Sequence, residues 1–207
     1  MQLFWMPVMN IVINAVLLIV LVQLYEYFVI NKYTRSFRTI NNMESSLLMT
    51  IKEKCPEEYY HAINTARLSE HIAIKLHMDD LLVKTAACYL KLGVICEENN
   101  WENIKNICEK YKFPTAVIEL LRECLNENRP KQKETVVIVF ADEVIRVLQD
   151  IFKKDIDAEV DYDQIVDKIY REKIVEGLLR ENPITYTELQ IMRKHFLEEK
   201  LYYDILR

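Results

Sequence analysis

The four histidines, His61, His71, His77 and His195, and the five cysteines are the side chains of this 207-residue chain that could ligate a metal or act as a nucleophile or base. A hydrolytic metal site needs several such donors converging on one ion, with a position left open for water. His71 lies nearly three helical turns beyond His61, too far to share a mononuclear site with it. His77 falls at an expected helix end, where it serves as a C-terminal cap or dipole partner. His195 falls on the last amphipathic helix and reads as a surface residue. The five cysteines, Cys55, Cys88, Cys96, Cys108 and Cys124, include no CxxC pair, and an odd count suits reduced thiols rather than a finger-type zinc site. A Cys–His nucleophile pair requires an activated thiol. Nothing around Cys88 or Cys124 marks one, and buried cysteine commonly packs as a small hydrophobe. Arg129, Lys131 and Lys133 form a small basic loop, read either as solvated or as a phosphate contact for a nucleotide.

The elements that must position these groups are helical. Two glycines and five prolines punctuate 207 residues, and long segments with a 3.6-residue apolar period lie between them. The expected fold class is all-α. A polar, basic connector is expected over residues 31–42, and a short helix over 44–54. Cys55-Pro56 breaks that helix, because proline cannot continue it and restricts the residue before it. Glu57 and Glu58 place acids in the first turn of the next helix, which runs to about Leu76. Asp79 and Asp80 open a helix to about Gly93 that is apolar all round, as a central core helix should be. Helices follow over 101–111, over 114–126 with Pro114 at its first position, and over 134–153. Two amphipathic helices complete the chain, over 161–179 and 185–206. The formal net charge of −5, with acids and bases interspersed, excludes the dense basic face that nucleic acid would need.

The first charged side chain is Glu26, and residues 3–24 are almost wholly apolar apart from Pro7, Asn10, Asn14 and Gln23. About 20 such residues cover the hydrocarbon core of a bilayer. A cleaved signal peptide would have a basic residue before the apolar run and a small-residue site after it, and this run has neither. Residues 1–30 are therefore expected to anchor the chain in a membrane by one span. Lys32, Arg35 and Arg38 follow the span and no basic residue precedes it, so the positive-inside rule puts the N-terminus outside and the rest of the chain in the cytoplasm. Tyr25, Tyr27, Phe28 and Tyr33 would lie at the inner interface and Trp5 at the outer.

Residues 60–93 read YHAINTARLSEHIAIKLHMDDLLVKTAACYLKLG, and residues 134–148 read ETVVIVFADEVIRVL. Together they resemble the HD-domain family, in which a first His, a His-Asp pair and a late Asp hold one or two metal ions. The resemblance runs to one bacterial branch, the C-terminal domain of the seven-transmembrane HD proteins, which are membrane cyclic-di-AMP phosphodiesterases. Leu47, Leu48, Pro56, Tyr60 and His61 follow the order of that domain's opening. Cys88-Tyr89 and then Leu90-Lys91-Leu92-Gly93 stand where the family has tyrosines and His-Asp-Ile-Gly. Pro114 matches a helix-opening proline, but the paired histidines that end that helix fall near Cys124 and Leu125. Pro130, Lys131, Lys133, Glu134, Ala141 and Asp142 reproduce the stretch that leads to the last ligand. Gly177, Leu179, Ile184, Thr185 and Leu189 are similar to the family's tail. The large extracellular region and the other spans of that family have no counterpart here.

The resemblance implies an HD-type helical bundle over residues 43–207, tethered by one span. It makes His61, Leu90, Lys91, Cys124, Leu125 and Asp142 the vestigial metal-site positions. Leucine and an ammonium cannot ligate a divalent cation, so no metal and no cofactor are expected. Lys91 stands where the metal-binding Asp would be. Its ammonium either supplies positive charge in place of the ion, close to Asp142, or reaches solvent while its stem packs. The function expected is that of a catalytically inactive protein, a pseudoenzyme, which binds a nucleotide such as cyclic di-AMP or a protein partner at the membrane face. The alternatives are an active phosphohydrolase with an atypical site and a purely structural interaction module. A polar cleft open to solvent would favour ligand binding; a cleft filled by Leu90 and Leu125 would favour the structural module.

Overall fold

The computed structural model describes residues 2–42, 44–96, 98–126, 130–155 and 157–199, which are helical with no strand among them. The chain forms two compact units, Met1–Thr39 and Ile40–Arg207. The first contains α1, Gln2–Tyr25, a π-helical turn over Glu26–Ile30, and α2, Asn31–Ile40, except its last residue, Ile40, with which the second unit begins. α1 is long and apolar enough to cross a membrane, and its described side chains are exposed throughout. Within the polar, basic stretch after the apolar run, residues 31–40 are helical: no Gly or Pro interrupts them, so nothing breaks the helix before Asn41.

The second unit is a bundle of α3 (Ser46–Lys54), α4 (Pro56–Lys75), α5 (Asp80–Cys88), α6 (Trp101–Lys110), α7 (Thr115–Leu125), α8 (Lys133–Lys154), α9 (Tyr162–Val175) and α10 (Tyr186–Glu198). Pro56 opens α4 at a position where its missing N–H costs nothing. α4 packs on α3, α5 and α8, and α7 closes over α5 and α8. The buried stripe of α8 (Val137, Ile138, Phe140, Ala141, Val144, Ile145 and Leu148) has no solvent exposure and forms the centre of the core. Tyr89 locks the start of the bundle. Its hydroxyl donates to the Ile40 carbonyl at 2.7 Å, and its ring packs edge-on against Phe113.

Several boundaries differ from the sequence expectation for local reasons. The first bundle helix begins at Ser46, because Ser45 caps it by accepting from the Leu48 N–H. Pro114 precedes α7 rather than opening it. The helix begun at Asp80 stops at Cys88, and tighter bonds, Leu92 N–H to Tyr89 and Val94 N–H to Lys91, carry the chain through Leu90 and Lys91 into a 3₁₀ turn over Leu92–Ile95. Gly93 fits there because a Cβ would run into the Asn99 side chain. α4 ends with His77 at φ 55°, and the Met78 N–H closes onto the Ala73 carbonyl at 2.9 Å. α9 ends short of Leu179 by the same device. Gly177 has φ 84°, and the Leu178 N–H reaches Lys173 at 3.2 Å. Gly177→Ala has open space around it but pays the left-handed backbone cost, so thermal denaturation should show a loss of about 1 kcal/mol. Unchanged stability would mean that the turn relaxes.

α10 starts with a capping box. Thr185 accepts from the Glu188 N–H, and Glu188 accepts from the Thr185 N–H at 2.7 Å. The expected end of α10 beyond Glu199 lies outside the described residues. His195 is partly buried rather than a free surface residue, and pairs with Glu198 at 3.0 Å.

Candidate functional site

Three elements converge on one carboxylate. α4 brings His61, α8 brings Asp142, and the turn after α5 brings Leu90 and Lys91. His61 is 6 % exposed, and its Nε2 lies 2.7 Å from Asp142 Oδ1. A carboxylate only accepts, so Nε2 carries the shared proton. Gln149, two turns after Asp142 on the same face of α8, places its side-chain oxygen Oε1 2.8 Å from Nδ1. The Lys91 ammonium lies 3.2 Å from Asp142 Oδ1 and donates to Oδ2 at 3.4 Å. The head of Lys91 therefore turns toward Asp142 rather than into bulk solvent. Burial by itself would raise the Asp142 carboxyl. The His61 hydrogen bond and the Lys91 charge outweigh it and hold the group below the usual carboxylate range.

This arrangement does not fit a divalent ion. The His61 nitrogen that faces Asp142 points a proton at it, and a cationic ammonium already lies against the carboxylate. The described residues contain no cluster of three or more His, Cys, Asp or Glu able to hold a metal. Burial also pushes the Cys124 thiol far up, helped by the Asp142 and Glu123 charges, and pushes Cys88 up to about 12. Both stay protonated and are unsuited to nucleophilic attack.

Beside Asp142 a cleft of about 290 Å³ opens between α7, α8 and the end of α9. Leu90 and Cys124 line it, together with Glu123, Thr135, Glu143, Lys173 and Glu176. Leu125 does not line it and is 39 % exposed. The cleft is polar, and leucine does not fill it. Its charges are mostly matched locally. Arg146 pairs with Glu143, and Lys173 pairs with Glu176 at 3.0 Å. Glu123 Oε2 accepts from the Lys131 and Gln132 backbone N–H groups and from the Thr135 hydroxyl, each at 3.0 Å, so it caps α8. Burial would raise the Glu123 carboxyl, but these hydrogen bonds, led by the Gln132 backbone, outweigh it and hold it low.

The basic loop is partly committed elsewhere. The Lys133 ammonium donates to Glu188 at 2.6 Å, and this contact, with the Thr185 backbone N–H, draws Glu188 down to about 2. Lys131 is exposed, and Arg129 lies outside the described residues. His71 lies apart from the site, against Glu199. Sequence reading missed Gln149 and Glu123. The two-turn spacing from Asp142 was a usable signal for Gln149; no local pattern marks Glu123 as the cap of a helix that begins ten residues later.

The topology and the convergence of α4, the α5 turn and α8 on one centre define an HD-domain fold. The solved structures similar to this chain include the HD domain of the phosphodiesterase PgpH from L. monocytogenes. It is 19% identical with a TM-score of 0.63, and the match covers 76% of this chain and 99% of that one. The same domain solved in complex with cyclic-di-AMP matches at 19% identity and a TM-score of 0.63, covering 75% of this chain and 96% of that one. No family model and no curated protein matches the sequence.

Proposed function

We propose that this chain is a membrane-anchored, catalytically inactive HD-fold protein that works by binding a protein partner at the cytoplasmic membrane face. The observation that carries this reading is the Lys91 ammonium 3.2 Å from Asp142 Oδ1. In an HD hydrolase, metal supplies the charge that polarises a phosphate and activates water. An ammonium supplies charge without a coordination site, and it cannot generate a metal hydroxide. The chain's own residues thus keep a former ligand carboxylate ionised and half-buried, which maintains the shape of the site and removes its hydrolytic chemistry. Residues 1–30 serve as the anchor, with the N-terminus outside. Residues 31–42 connect it to the domain, and residues 43–207 form the degenerate HD domain.

Two occupants of the cleft are distinguishable by charge. Of its four carboxylates, Asp142, Glu143 and Glu176 already pair with Lys91, Arg146 and Lys173, and Glu123 is held by backbone N–H groups, so its lining offers no uncommitted cation to the two phosphates of a dinucleotide. A protein surface needs no such cation and suits it better. The second reading, a cyclic-dinucleotide sensor, draws on the PgpH domain in complex with cyclic-di-AMP. Calorimetric titration of the detergent-solubilised full chain with cyclic di-AMP, with and without added Mn²⁺, separates them. The protein-partner reading expects neither binding nor hydrolysis. Saturable binding without turnover would install the sensor reading, and turnover would make the chain an active hydrolase.

A further inference from the structure

Of the polar residues in the apolar run of α1, Asn10 and Asn14 share one face, while Gln23 lies near the far end of the helix on the opposite face. Asn10 and Asn14 are one turn apart, and the Asn14 amide donates to the Asn10 side-chain oxygen at 3.2 Å. The helix starts at Gln2, so these residues lie ~12 and ~18 Å along it, inside a hydrocarbon layer ~30 Å thick. Each amide has two donors and a carbonyl oxygen. The mutual bond uses one donor and one oxygen, leaving three N–H positions and one carbonyl oxygen facing lipid among the described residues. Unmet polar groups are costly there and drive helices together.

The face continues down the helix. From Asn10 the steps of four, three, four and three residues reach Asn14, Leu17, Leu21 and Leu24. That is the alternation of a coiled-coil seam, with residues 14 and 21 at one class of position and 10, 17 and 24 at the other. The intervening positions are mainly Val and Ile. Apart from Leu18, the leucines between residues 10 and 25 therefore fall on the seam that carries the asparagines.

From this pattern we infer that α1 is a dimerisation element, and that its partner is α1 of a second copy of this chain, parallel to it. The inference rests on the membrane-spanning reading above. The commitment to a second copy follows from symmetry. Copies inserted under the same charge rule share one orientation, so Asn10 meets Asn10 and Asn14 meets Asn14 at equal depth. An amide both donates and accepts, so it complements itself across a two-fold axis. A foreign helix would need its own polar groups at these two depths.

The test uses the full chain, fluorophore-tagged at its C-terminus and reconstituted into phosphatidylcholine–phosphatidylglycerol vesicles, with energy transfer followed against protein density. Carbonate washing of cell membranes precedes it. Release of the chain by carbonate would remove the span reading and this inference together. With the chain retained, wild type should show transfer, and Asn10→Leu/Asn14→Leu should need about tenfold higher density to reach the same transfer. These substitutions make the span more apolar, so insertion is not lost. Leu17→Ala/Leu21→Ala should also weaken transfer, whereas Val12→Ala/Ile19→Ala, on the opposite face, should leave it unchanged. Absence of transfer in wild type, undiminished transfer in the asparagine variant, or equal weakening by the opposite-face pair would overturn the inference while leaving the span intact.

Discussion

Lys91→Met should destabilise the helical bundle by about 2–3 kcal/mol, and Asp142→Asn should add little on top of it. Removing one partner of a buried ion pair commonly costs about 3–5 kcal/mol. The Lys91 and Asp142 side chains are 24% and 20% exposed, so partial solvent screening brings the expectation below that range. In the single variant, Asp142 keeps only its His61 bond. In Asp142→Asn alone, Lys91 keeps its charge without a partner, and His61 faces an amide. The double variant removes the charge on both sides, and its cost should fall well short of the sum of the singles. Thermal melts of the four full-length forms in detergent measure this cycle, at roughly 2–4 °C per kcal/mol for a domain of this size. Additive losses would show that the two groups do not act on each other.

The same pair sets a pH dependence. Asp142 is held below the usual carboxylate range in the folded state, so on acidification the unfolded chain takes up the proton first. Its contribution is complete above about pH 5 and is lost as pH falls through the folded value. The acid side of the stability profile should therefore be shallower in Lys91→Met than in wild type. An identical acid slope in both would remove Lys91 as the cause of the depression.

Glu123→Ala should cost about 2–3 kcal/mol, because one carboxylate oxygen satisfies two backbone N–H groups and the buried Thr135 hydroxyl at the start of the core helix. Glu123→Gln keeps an acceptor and should lose less. Backbone amide exchange at residues 131–136 reads the effect locally, with faster exchange expected there in Glu123→Ala and little change at the far end of α8. Uniform acceleration along α8 would point to global destabilisation rather than loss of a cap.

Much of this molecule was legible in its sequence, because the helices depend on local signals. The scarcity of glycine and proline, the break at Cys55-Pro56 and the acids after it each act within one or two turns. The ends read less well. Where α5 gives way to the turn at Leu90 and where α9 stops depend on tighter backbone bonds and on the left-handed Gly177, which a hydrophobic period does not report. At the site, the approach of Lys91 to Asp142 followed from assigning both to one centre. The capping role of Glu123 and the diversion of Lys133 to Glu188 did not, since each joins residues brought together only by tertiary packing. The pairing of the cleft's carboxylates with Lys91, Arg146 and Lys173 is likewise a property of the assembled helices, and no periodicity reports it.

The central claim is that Lys91 has taken over the electrostatic role of a metal ion. Elemental analysis of the purified full chain, grown with iron, manganese and zinc in the medium, tests it most directly. The account predicts no stoichiometric transition metal, in wild type or in Lys91→Met, because removing the ammonium still leaves His61 and Asp142 with only Leu90 and a buried, protonated Cys124 beside them. One or more tightly bound ions per wild-type chain would contradict it.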